Sequence, residues 1–162
     1  MFRAWIAVCA LAVCAAQTKE KPPVAEQPIP FSHKQHAGDL KIQCKMCHPN
    51  PPPGELMRIA AVSVCMQCHS AIKTDSPAIQ KLAEAAKSGK EIKWARVYEI
   101  PSFVSFSHKS HLDGGNKCEE CHGQVAQREK LDREGDISMG ACMTCHQAKK
   151  VSFDCGFCHE PR

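Results

Sequence analysis

Cys44-Lys45-Met46-Cys47-His48 is the first of five C-x-x-C-H segments. The others run from Cys65 and Cys68 to His69, Cys118 and Cys121 to His122, Cys142 and Cys145 to His146, and Cys155 and Cys158 to His159. Together they use every cysteine beyond residue 40. The spacing suits covalent attachment of c-type haem. The paired thiols add across the vinyl groups of one porphyrin, and the adjacent histidine reaches its iron from one face. A lone C-x-x-C is equally a redox pair or half of a zinc site. Neither zinc knuckles nor disulfides require a histidine after every second cysteine, and all five copies have one. Five covalently bound haems are therefore expected.

Five of the nine histidines are the proximal ligands of this scheme. The remaining four fall in a repeat. Phe31-Ser32-His33-Lys34-Gln35-His36 precedes the first motif, and Phe106-Ser107-His108-Lys109-Ser110-His111 precedes the third. At i and i+3 on one helical turn the imidazoles leave the same face. His33, His36, His108 and His111 then read as distal ligands to pairs of neighbouring haems, the alternative being histidines on a solvated turn.

Five haems and four such histidines leave one iron short. Met139 is the first candidate to fill the place and Met57 the second; an open iron is the third possibility. Met46, Met66 and Met143 lie inside C-x-x-C loops, poorly placed to reach a distal face. Met139 could equally be a thioether packed on a porphyrin edge. Methionine in place of histidine raises the potential of a haem.

The elements that must hold these ligands are short. Residues 31–75 make a dihaem module, with Pro49, Pro51, Pro52 and Pro53 in an irregular internal loop. Residues 76–100 form a connector. Ser76 before Pro77 predicts a helix start, Ile79, Leu82, Ala83 and Ala86 one face, and Gly89 the stop. Residues Ile92 to Tyr98 alternate weakly and read as extended. Trp94 and Tyr98 there suit either core packing against haem or an interface. Residues 101–162 make a trihaem module, whose charged stretch from Gln124 to Asp136 reads as an exposed loop. The attachment motifs belong on short helical turns, and little β-structure is expected.

With 162 residues and 9 aromatics, a conventional core is thin, so porphyrins are expected to be the interior. The net charge of +4 has no basic block behind it, which leaves nucleic-acid binding without support. Haem propionates would absorb that modest excess.

Residues 1–16 carry Arg3 followed by an apolar run to Ala16. The run is shorter than the roughly 18 residues of a membrane span. It fits a signal peptide cut after Ala16, or a lipoprotein signal ending before a lipidated Cys14. A buried first helix is the third reading. The first two place the chain in the periplasm or otherwise outside the cytoplasm, the second anchored to the membrane through Cys14. Residues 17–30, QTKEKPPVAEQPIP, are a Pro-rich linker.

The run Phe106, His108, His111 and the last three motifs resembles trihaem cytochromes of the c7 type, relatives of cytochrome c3. The resemblance implies a c3/c7-like multihaem fold of short helices and loops wrapped around the haems. It pairs His108 with His122 and His111 with His146, and by the same pattern His33 with His48 and His36 with His69. It leaves Met139 to the haem of His159, where that family has histidine. The segments PIPFSHKQHAGDLKIQCKMCH, KTDSPAIQKL and IKWARVYEIPSFVSFSHKSH are similar to the pentahaem cytochrome subunit of alternative complex III, a bacterial membrane quinol oxidoreductase. That implies relay of electrons from a quinol-oxidising assembly, through an iron–sulfur protein, towards other cytochromes or an oxidase.

Electron transfer without substrate chemistry is thus the leading expectation, as a complex subunit or a soluble periplasmic carrier. A reductase using one open haem, and a repeating unit of a haem filament, are the alternatives.

Overall fold

The computed structural model describes residues 26–159. The signal segment, Cys14 and residues 17–25 of the linker lie outside the described residues. Seven short α-helices occur among the described residues: α1 (Cys44–Cys47), α2 (Val62–His69), α3 (Pro77–Ser88), α4 (His108–Asp113), α5 (Cys118–His122), α6 (Met139–Ala148) and α7 (Cys155–Cys158). A π-helical turn, Lys34–Asp39, and a 3-10 turn, Val125–Gln127, complete the ordered elements, and no strand occurs among the described residues.

All five attachment motifs sit on helical turns, α1, α2, α5, α6 and α7. Four to ten residues are too few to offset the nucleation of an isolated helix. These turns need something packed against them to persist.

The two F-S-H-K-x-H segments each use their serine as a helix start. Ser32 Oγ accepts from the amide of Gln35 at 3.0 Å, and Ser107 Oγ accepts from Ser110 N at 3.2 Å. A serine that satisfies an otherwise orphaned N–H fixes where the turn begins. It thereby fixes the direction in which the two histidines leave it.

Helix α3 follows from its sequence. Pro77 opens it after Ser76, and Gly89 closes it in the left-handed conformation at φ 66°. Its buried face differs from the predicted one. Ile79 and Leu82 are buried, with Ala78 and Ala85 packed beside them, whereas Ala83 and Ala86 are exposed. The contact with α2 is narrow and follows the i, i+3 line through 79, 82 and 85 rather than a broader stripe.

That contact holds the only conventional core among the described residues: Ile29, Val62, Ile79 and Leu82, flanked by Cys65, Met66, Ile92 and Trp94. Trp94 packs there and also meets Phe31 edge-on at 6.0 Å. The segment from Ile92 to Tyr98 is irregular and pairs with no strand. Residues 101–159 contribute no buried apolar side chain. Large apolar groups there, Phe103, Met139, Phe153 and Phe157, stand open instead.

The stretch from Gln124 to Asp136 is less free than its charge suggests. Its 3-10 turn docks on the π-helical turn, where Lys34 N donates to the carbonyl of Arg128 at 2.9 Å. Gly38 makes this approach possible, since a Cβ there would meet the Ala126 carbonyl oxygen at 2.3 Å. Val125, Arg128 and Leu131 are accordingly half-buried.

Candidate haem centres

Four histidines of the attachment motifs each face one histidine of the F-S-H-K-x-H turns. The ring centroids of His33 and His48 are 6.4 Å apart, and those of His36 and His69 are 6.1 Å apart. His108 and His122 are separated by 6.3 Å, and His111 and His146 by 6.0 Å. Rings in van der Waals contact would be closer. An imidazole nitrogen binds a metal at about 2.0–2.1 Å, and it lies about 1.2 Å from its ring centre. One metal ion between two such nitrogens sets the centroids about 6.3 Å apart. All four separations would leave room for one metal ion between the two rings.

The ring nitrogens are oriented for this role. Nδ1 of His36 donates to the Ser32 carbonyl at 2.8 Å, and Nδ1 of His111 to the equivalent Ser107 carbonyl at 2.8 Å. His48 donates to the Arg58 carbonyl at 3.0 Å, and His69 to that of Ile72 at 3.1 Å. His108 donates to the Glu55 carbonyl at 2.9 Å, and His146 to that of Ser152 at 2.6 Å. A carbonyl only accepts, so each of these Nδ1 atoms carries the proton and the lone pair remains on Nε2. Such a hydrogen bond also raises the basicity of a ligating imidazole.

His33 reaches the same end differently. Its Nδ1 is buried without a hydrogen-bond partner. Burial, then the neighbouring His48 and His36, hold its pKa down to about 4, so the ring is neutral at physiological pH. Burial, then His108 and His48, likewise lower His122.

The cysteines are all free thiols among the described residues. No group of three or more His, Cys, Asp or Glu side chains among them converges on one point, as a zinc site needs. A porphyrin needs only the axial nitrogens from protein. At the third motif a cleft of about 50 Å³ is lined by Phe106, His108, Leu112, Cys121 and His122.

Cysteines of neighbouring motifs act on one another electrostatically. Burial, then the Cys47 thiol, push Cys65 up. Burial, then the neighbouring Cys44, push Cys118 up. Burial and then Cys145 raise Cys121, and burial and then Cys158 raise Cys142.

The fifth motif has no histidine opposite. The ring nearest to His159 is that of Phe103, at 5.9 Å between centroids. Met139 opens α6 with its side chain exposed, and Met57 lies in the loop before α2. Phe103 is a neighbour the sequence does not announce, because no motif contains it. Tyr98 is another. Its hydroxyl donates to the His122 carbonyl at 3.1 Å and accepts from the amides of Glu134 and Gly135.

Residues 10–96 match the class III cytochrome c family, and residues 104–160 match cytochrome c7 and related cytochromes c. The chain belongs to the class III cytochromes c. Its fold is accordingly c3/c7-like. It is also 33% identical to the multiheme cytochrome c subunit of a menaquinone reductase from Nitratidesulfovibrio vulgaris, Hildenborough strain, over 83% of this chain and 77% of the relative. Like other members of the family, this cytochrome binds haem c covalently and transfers electrons.

Proposed function

We propose that this chain is an exported cytochrome with five haems that relays electrons for a membrane quinone-linked respiratory complex, as a subunit or docked partner. The observation that carries the haem arrangement is the set of four facing histidine pairs, each pairing one attachment motif with one F-S-H-K-x-H turn. The complex is suggested by the relative described as a menaquinone reductase subunit. Redox partners in such a setting are an iron–sulfur protein and other cytochromes.

Bound haem supplies one-electron chemistry at iron. The protein's part would be to hold the haem and to fix its ligating side chains so that little rearranges on reduction. Cys44 and Cys47, Cys65 and Cys68, Cys118 and Cys121, Cys142 and Cys145, and Cys155 and Cys158 anchor the porphyrins. His48, His69, His122, His146 and His159 are the proximal ligands; His33, His36, His108 and His111 complete four sites. For the fifth we retain Met139 as the second ligand, with Met57 and an open iron as the competing assignments. The carbonyl acceptors on Nδ1 keep the imidazoles in one tautomer and orientation.

The chain functions outside the cytoplasm in this reading, either freed by cleavage after residue 16 or held by a lipid on Cys14. Among the described residues no helix is long and apolar enough to cross a membrane.

The mass of the mature protein tests the first part: five haem additions are expected, and four would remove the fifth site. The same spectrum distinguishes a lipidated Cys14 from a chain starting at residue 17. Co-purification with a membrane quinone oxidoreductase is the expected result for the complex. Recovery only from the soluble fraction would leave a free carrier.

A further inference from the structure

The loop from Pro49 to Arg58 belongs to the dihaem half of the sequence, yet it touches both halves. Its last carbonyl, Arg58, accepts from Nδ1 of His48, the proximal histidine of the first site. Three residues earlier, the Glu55 carbonyl accepts from Nδ1 of His108 at 2.9 Å and from the His108 amide at 3.1 Å. The Gly54 carbonyl accepts from the next amide, Lys109, at 2.9 Å. His108 faces His122, so it belongs to the third site. One loop therefore orients a ligand of the first site and a ligand of the third.

The other neighbour relations each link two sites. His33 and His36 share one turn, which joins the first and second. His108 and His111 share α4, which joins the third and fourth. Phe157, inside the fifth motif, meets the His146 ring of the fourth at 6.4 Å.

We propose that the loop Pro49–Arg58 is a clamp that sets the first and third haem sites side by side. The sites then follow one another in space as second, first, third, fourth, fifth, and this junction is the electronic contact between the two modules. The inference rests on the five-haem reading above. Gly54 is what lets the loop come so close. It sits at φ +95°, and a Cβ there would lie 2.5 Å from Cβ of Lys109.

The test is proton NMR of the fully reduced, haem-loaded protein, with each haem assigned through the thioether protons of its own cysteines. Cross-relaxation between the Cys44-bound and Cys118-bound haems is expected. Assigned spectra in which those two show no mutual contact, or in which the first haem contacts only the second, would overturn the proposal. Fewer than five haem spin systems would count against the five-haem reading instead, and the junction would then be judged on the first and third alone.

Gly54→Ala supplies a second readout. It is expected to push the loop from α4, weaken the Glu55–His108 bond and make the ligand less basic. The midpoint of the third site should rise while those of the fourth and fifth stay put. A uniform shift of every midpoint, or no shift at all, would mean the loop positions neither ligand.

Discussion

The His108 and His122 rings lie within 5° of parallel with 6.3 Å between their centres, and His33 and His48 repeat this at 9°. The other pairs are twisted, by 59° for His36 and His69 and by 48° for His111 and His146. The difference follows from the first and second histidine of each turn, so the two turns impose the same pattern twice.

Ligand-plane orientation sets the splitting of the iron d orbitals. Near-parallel imidazoles give rhombic low-spin ferric spectra, and strongly twisted ones give more axial spectra with a larger maximum g value. Electron paramagnetic resonance of the oxidised protein should therefore show two haems of the first kind and two of greater anisotropy. His108→Ala should remove one rhombic signal and produce a high-spin one. Loss of a signal of the more anisotropic class on that substitution would reassign the pair.

Much of this was legible in the sequence because ligands must be particular residue types. Haem attachment admits only cysteine and histidine, and the repeat of Phe31 to His36 at Phe106 to His111 marks two equivalent turns. Helix α3 was legible because Pro77 and Gly89 act through their own backbone geometry. Backbone acceptors were not. The carbonyls of Arg58, Glu55 and Ser152 belong to residues whose side chains are irrelevant to the contact. Phe103 and Tyr98 were hidden for a related reason: both reach histidines of the attachment motifs across more than 20 residues of chain, a distance no local pattern encodes. The packing of the Gln124–Asp136 stretch depended on Gly38, nearly 90 residues away, leaving room for a carbonyl.

Acid should weaken the first site. The folded pKa of His33 is about 4, below its ordinary 6.5, because burial and the neighbouring histidines disfavour the charged ring. An imidazole released by unfolding takes up its proton at the ordinary value, so the unfolded state binds more protons between these two pH values. Stability is therefore complete above pH 6.5 and falls as the pH drops towards 4. Denaturant unfolding across that window should show proton uptake. His33→Met, which substitutes a ligand that does not titrate, should show less of it. An equal pH slope in both proteins would place the uptake elsewhere.

Tyr98 ties three backbone groups to one hydroxyl: the His122 carbonyl and the amides of Glu134 and Gly135. Tyr98→Phe keeps the ring, which meets His122 edge-on at 4.5 Å, and removes only the hydroxyl. Partly buried backbone groups left without partners should cost about 1–2 kcal/mol. Guanidinium unfolding followed at the Soret band measures this. Unchanged stability would mean that water replaces the hydroxyl without loss.

The fifth site separates the remaining assignments. His159 has Phe103 beside it rather than a histidine, and a phenyl ring offers iron no lone pair. If Met139 is the second ligand, the oxidised protein has a sulfur-to-iron charge-transfer band in the near infrared, and one midpoint lies above the four of the bis-histidine sites. Met139→Leu should abolish that band and lower the potential or leave a high-spin iron, with the four histidine pairs unaffected. The same result on Met57→Leu, with Met139→Leu silent, would move the assignment to Met57. A high-spin signal already present in the unmodified protein, together with carbon monoxide binding after reduction, would show the fifth iron open. Phe103 would then be the side chain bordering its vacant face.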